Sequence, residues 1–167
     1  MKNEKKQSHV RAFLDTVLTF VIVCAVFVGF RYIIRFPVVS GNSMEPTYHD
    51  GDVLAVLYTH DVDRNDVVVS WSSTLDEYIV KRVIGVPGDV IDISDGVLYR
   101  NDVRVYEAYI NDMKWDSSVK VHIELDNDQY FLLGDNRNHS TDSRSFGTVP
   151  KSDMFGKVLF CIKHKET

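Results

Sequence analysis

The sequence predicts a mostly β protein: antiparallel sheets forming a folded or partly closed barrel-like domain, preceded by one N-terminal transmembrane helix. Three observations carry that expectation. The segment Thr16–Phe30, TVLTFVIVCAVFVGF, runs for 15 residues without a charge. Beyond Pro37 the chain breaks into short β-branched and aromatic runs separated by turn residues. No amphipathic helical pattern longer than a couple of turns follows residue 36.

The N-terminal element comes first. Residues 1–11 carry Lys2, Lys5, Lys6 and Arg11 against the single acid Glu4. Fifteen apolar residues fall short of the roughly 20 that a membrane-crossing helix needs. Extending the segment to 13–34 gives 22 residues and admits only Asp15 and Arg31. Both lie near its ends, where a long cationic side chain reaches the headgroups. The expected organisation is a tail at 1–12, a transmembrane anchor at 13–34 and a β-rich domain at 35–167. A cleaved leader shares the basic start and apolar middle, but FPVVSGN offers a poor small-x-small cleavage site, so an uncleaved anchor is expected. Basic residues ahead of the span predict a single-pass cell-membrane protein with a cytoplasmic N-terminus and the domain on the extracytoplasmic side.

The strands follow. VLAVLY (53–58) and VVVSW (67–71) are apolar enough to be buried. VIDISDGVLYRNDVRVY (90–106) reads as two tight reversals, with Asp95-Gly96 and Asn101-Asp102 as two-residue turns. VKVHIEL (119–125), QYFLLG (129–134) and GKVLFCIKH (156–164) continue the pattern. About 130 residues can bury an adequate core. From Pro37 onward the chain holds 13 basic and 22 acidic residues, a net charge of −9. Such a domain repels a nucleic acid backbone, which excludes nucleic acid as a partner. Cys24 and Cys161 are the only cysteines. They are expected to be unpaired, as in an exported domain at a bacterial surface.

Three stretches carry the chemistry. SGNSMEPT (40–47) is a small polar loop just past the apolar segment; no lysine follows its glycine as in a P-loop, and it lacks Gly-x-Ser-x-Gly spacing. It offers a serine that needs a base. In DEYIVKRVIGVPGD (76–89), strand alternation puts Ile79, Lys81 and Val83 on one face. An ordinary lysine, with a pKa of about 10.4, is neutral in only roughly one of a few thousand copies at pH 7. Among apolar atoms its charged form is disfavoured, and a desolvated Lys81 can take a proton from a serine hydroxyl. GDNRNHSTDSRSFG (134–147) is too polar for a core strand, and reads as a loop holding that lysine or as an Asx-rich turn with a surface ion pair.

In that order behind one span, GNSMEPT, VKRVIGVPGD and GDNRNHSTDSRSFG resemble type I signal peptidases of the short, single-span Gram-positive form, over residues 13 to 160. The resemblance implies a membrane-anchored serine endopeptidase that removes signal peptides from exported preproteins, preferring small residues at positions −1 and −3. It implies Ser43 as nucleophile and Lys81 as general base. Ser140 matches the serine that orients the lysine amine, Asp142 and Arg144 a supporting pair, and Asp135 a structural aspartate. Some family members place an oxyanion-stabilising hydroxyl two residues before the nucleophile; Gly41 stands there, which leaves backbone donors. Substrate is expected along a strand edge, against Val39, Gly41, Met44, Tyr78 and Ile79, with an exposed apolar rim around Met44 facing the membrane. No cofactor or metal is expected. The partners expected are secretory preproteins, membrane lipid and the protein-export machinery.

Rival readings are weaker. His139, beside Ser140 and near Asp142, invites a Ser43–His139–Asp142 triad, at a position the family does not reserve for histidine. His49 and His60 flank acidic turns and are expected to be exposed. Neither 126–128 nor 49–52 shows metal-ligand spacing. A soluble Ser–Lys autoprotease would carry a DNA-binding helical domain where this chain has its span. A degenerate, non-enzymatic homologue would have lost the serine or the lysine, and both are present.

Overall fold

The computed structural model describes residues 2–110 and 116–162, and the chain divides into two compact units between Ile34 and Arg35. The first unit is one helix, α1 (Lys2–Ile33). It begins well before the expected anchor and takes in the stretch expected as a tail, because no Pro or Gly interrupts 2–12. Within it, Phe13–Ile33 is long and apolar enough to cross a membrane, with a mean hydropathy of 2.4. Twenty-one residues at about 1.5 Å each span the roughly 30 Å of a hydrocarbon core. Phe13, Leu18, Phe20 and Phe27 are among its exposed apolar side chains.

The second unit is built from strands. They are β1 (Ile34–Arg35), β2 (Val53–Leu57), β3 (Val67–Ser72), β4 (Glu77–Gly85), β5 (Val90–Ser94), β6 (Val97–Arg100), β7 (Val103–Arg104), β8 (Val121–Glu124), β9 (Gln129–Leu133), β10 (Val149–Pro150) and β11 (Met154–Ile162). A seven-stranded sheet runs β1-β2-β11-β3-β4-β9-β10, and a four-stranded sheet runs β7-β6-β5-β8. The fold is mostly antiparallel β with the large sheet curled into a half barrel, as the sequence predicts. Both two-residue turns are present: Asp95-Gly96 and Asn101-Asp102 all have positive φ, the conformation Asn, Asp and Gly tolerate best.

The strand ends differ from expectation. Residues 119–120 and 125 lie outside β8. The last strand starts two residues early, at Met154, while the expected Lys163 and His164 fall outside the described residues. The 134–147 loop holds a 3-10 turn at Arg137–His139 and a one-turn helix, α2 (Ser143–Phe146), whose N-cap Asp142 accepts the Arg144 N–H.

The C-terminal end of β4 and most of β9 are buried on both faces because each is covered twice. Ile84, Phe131 and Leu133 pack with Ile91, Ile93, Leu98 and Leu125 of the small-sheet side. Val83, Tyr130 and Leu132 point the other way, into a core with Val62, Val68 and Met154. A third cluster joins Val39, just ahead of the polar loop, to Leu54, Val56 and Val69. Each buried aliphatic side chain contributes about 1.5–3 kcal/mol, so these clusters fix where β4 and the 40–47 loop lie.

Candidate active site

The loop 40–47 leaves the third cluster at Val39, which is held from both sides: its N–H donates to Asp52 O and its carbonyl accepts from Gly51 N. Gly41 has φ +85 and donates its N–H to Asp50 Oδ1 at 2.7 Å, which turns the chain toward β4. A hydroxyl-bearing residue there would be strained in that conformation. Ser43 follows, half-buried, its carbonyl accepting from Asn136 N at 3.0 Å.

Lys81 reaches this serine from the middle of β4. Its Nζ lies 2.8 Å from Ser43 Oγ and 3.0 Å from Val80 O. It shares a strand face with Val83 and sits opposite Val68 across the β3 ladder, both fully buried, and is itself only 4 % exposed. Burial pulls its amine below the ordinary lysine value; the Asp142, Glu77 and Asp135 carboxylates oppose that pull without overcoming it. The amine is buried, a hydroxyl is within its reach, and no other cation pairs with the serine among the described residues. The pair can therefore move a proton.

The other site residues act on the frame. Asp135 is buried and receives Arg82 at both oxygens, Nε to Oδ1 at 2.8 Å and Nη2 to Oδ2 at 2.6 Å. Thr47 Oγ1 donates to the same carboxylate. Asp135 thus bolts the end of the nucleophile loop to β4, one residue from the lysine. Asp142 accepts from Gly134 N at 3.0 Å and from Arg144 Nε and Nη2, both at 2.8 Å. Arg144 also donates to Arg137 O at 2.8 Å, so the pair closes the 134–144 loop onto the end of β9.

Ser140 does not make the contact that the resemblance implies. Its Oγ is buried without a hydrogen-bond partner, and the Lys81 amine bonds to Ser43 and Val80 O instead. Ser140 packs where Gly134 lacks a side chain: a Cβ on Gly134 would sit 2.2 Å from Ser140 Oγ and 2.5 Å from Ser43 O. Met44 is a correction too. It is 1 % exposed, so it forms no exposed rim, because the chain folds back through Tyr48 N to Met44 O and puts the side chain inside. His60 is half-buried rather than exposed, edge-on to Tyr58 with its Nδ1 enclosed. His49 is exposed as expected.

A cleft of about 370 Å³ opens beside Ser43 and Lys81, and Val39, Gly41, Met44, Tyr78 and Ile79 all line it. His139 lines it as well, exposed, but Ser43 Oγ is engaged by lysine, and the Asp142 oxygens are taken by Gly134 and Arg144. The histidine triad is not assembled. Sequence reasoning missed Arg82, Thr47, Gly134 and Asn136. Arg82 carries a signal, since a second cation inside an apolar strand needs a buried partner. Asn136, whose Nδ2 donates to Asn42 O at 3.1 Å, carries none.

The model of the family described as signal peptidase, peptidase S26, matches residues 13–163. The chain is 34 % identical over 175 residues to Signal peptidase I of Bacillus amyloliquefaciens, covering 96 % of this chain and 94 % of that one. It is 31 % identical over 175 residues to Signal peptidase I of Bacillus licheniformis, with the same coverage. A crystal structure of a signal peptidase I from Enterococcus faecalis V583 matches with a TM-score of 0.53 at 30 % identity, over 60 % of this chain and 97 % of that one.

Proposed function

The chain belongs to the signal peptidases of the peptidase S26 family, a serine peptidase hydrolase, and from that premise we propose a membrane-anchored endopeptidase in which Ser43 and Lys81 form the catalytic dyad. Its substrates are secretory preproteins. The observation that carries the dyad is the 2.8 Å approach of a buried lysine amine to a serine hydroxyl at the floor of an open cleft.

In its neutral form the Lys81 amine accepts the Ser43 hydroxyl proton as Oγ attacks the scissile carbonyl carbon. Negative charge gathers on the carbonyl oxygen, and the Ser43 N–H, unbonded among the described residues, can donate to it. The ammonium formed on Lys81 is steadied by Asp142, Glu77 and Asp135, the same carboxylates that oppose the effect of its burial. That proton goes to the leaving amine as the peptide bond breaks, leaving the signal peptide as an ester on Ser43. Lys81, neutral again, then takes a proton from a water that attacks the ester carbonyl and returns it to Ser43 Oγ as the signal peptide departs as a carboxylic acid.

The substrate lies extended between Val38–Gly41 and β4, adding its backbone to a sheet edge. Alternate residues of such a strand face the same wall, which fits a preference for small residues at −1 and −3. Phe13–Ile33 serves as the lipid anchor, with residues 1–12 in the cytoplasm and the catalytic domain outside. The export machinery would deliver substrate to this side. A preprotein cleavage assay tests the reading: wild type cuts, and Ser43→Ala and Lys81→Ala do not. Cleavage surviving in either variant overturns the dyad.

A further inference from the structure

Strand β4 carries a second feature in the cleft. Its pairing with β9 begins only at Arg82, opposite Leu133, whereas its pairing with β3 extends back to Glu77. Residues 77–81 therefore keep one edge free of any strand among the described residues, and all five line the cleft. Alternation sets Glu77, Ile79 and Lys81 in a row on one strand face. At about 3.3 Å per residue the Glu77 backbone is roughly 13 Å from that of Lys81.

Of the cleft-lining residues, Glu77, Tyr78, Lys81 and His139 have ionisable side chains, and Glu77 is the one carboxylate among them. Lys81 is buried and engaged with Ser43, while Glu77 is exposed, makes no hydrogen bond or ion pair among the described residues, and acts on the Lys81 amine only through longer-range attraction. A single unpaired carboxylate thus stands at the far end of the substrate edge. We infer that Glu77 is a specificity-determining residue that favours a basic side chain, and disfavours an acidic one, five residues before the cleavage site.

The register follows from equal rise. A substrate strand that runs parallel to β4 along the free edge rises with it residue for residue, so with −1 beside Lys81, −3 falls at Ile79 and −5 at Glu77. The inference rests on the proposed endopeptidase reading. It concerns an exposed charge pair, so its size is modest and sensitive to salt.

The test uses the full-length enzyme in detergent and a neutral parent peptide with small residues at −1 and −3. Lysine, glutamine or glutamate replaces one residue at a time at −4, −5 and −6. At −5 and low salt, kcat/KM for the lysine peptide should exceed that for the glutamate peptide roughly three- to tenfold, from attraction in one and repulsion in the other. Glu77→Gln should bring that ratio toward one, and Glu77→Lys should invert it. A ratio near one in wild type, a ratio unchanged in Glu77→Gln, or a larger ratio at −4 or −6 overturns the inference while leaving the peptidase reading intact. A parent peptide uncut by wild type, or cut equally by Ser43→Ala, overturns both.

Discussion

Lys81 and Gly134 show how a single residue's surroundings decide its chemistry. Burial lowers the Lys81 amine below its ordinary value, so the neutral, proton-accepting form grows as pH rises through that lowered value. Cleavage should therefore increase with pH and level off below the range of a free lysine, about 10.4. Steady-state kinetics from pH 6 to 10 check this, and a rate still rising about tenfold per pH unit at pH 10 with no levelling sinks Lys81 as base. His139→Ala should keep most activity, while Lys81→Arg should have none, since a guanidinium stays charged at any working pH. Gly134 works by absence. Alanine there brings a Cβ within 2.5 Å of Ser43 O, which is backbone and cannot swing away. Displacing the nucleophile by about 1 Å costs on the order of a hundredfold, so Gly134→Ala should lose most of its kcat with KM little changed. Full activity in that variant would mean that the Ser43 carbonyl position does not govern the reaction.

Among elements, the connections between the two sheets carry a charged clamp. Asp89, buried after β4, accepts from Arg64 Nε at 2.8 Å and Nη2 at 2.6 Å, from Val86 N at 3.1 Å and from Asn101 Nδ2 at 2.8 Å. It joins the segment before β3, the β4–β5 connection and the β6–β7 turn. Burial alone would raise its pKa, but the bonds from Arg64, Val86 and Asn101 outweigh that and hold it below the usual carboxylate value. The folded carboxyl thus binds its proton less readily than the unfolded one. The clamp's stability is complete above the unfolded value, near 3.9, and is lost as pH falls through the lower folded value. Asp89→Asn should cost about 1–2 kcal/mol at pH 7, allowing for solvent around half-exposed Arg64. Urea midpoints measured at pH 7 and at pH 3 check it: the gap between wild type and variant should narrow in acid. A constant gap would show that the carboxylate charge is not what holds the connection.

For the molecule as a whole, the basic N-terminus and the apolar segment that follows it predict a topology. Protease added outside intact cells should digest the region beyond residue 37 and spare the first dozen residues. Mature protein free in the medium, beginning near Ser40, would show that Phe13–Ile33 is a removed leader and not an anchor. Release by salt alone would argue against a span, because burial of a 21-residue, mostly apolar helix in lipid does not depend on screening.

Much of this was legible in the sequence because it is local. Two-residue turns at Asp95-Gly96 and Asn101-Asp102, β-branched runs and an uncharged 15-residue segment each state their conformation within a few positions. The three polar motifs likewise marked the residues that line the cleft. The tertiary structure decided what depends on distant partners. Arg82, Thr47 and Asp135 are 35 to 88 residues apart in pairs, and only folding makes them one buried bolt. Met44 turned inward and Ser140 was left unbonded for the same reason. A side chain's exposure and its hydrogen bonds are fixed by what packs against it, and that is not written in its neighbours along the chain.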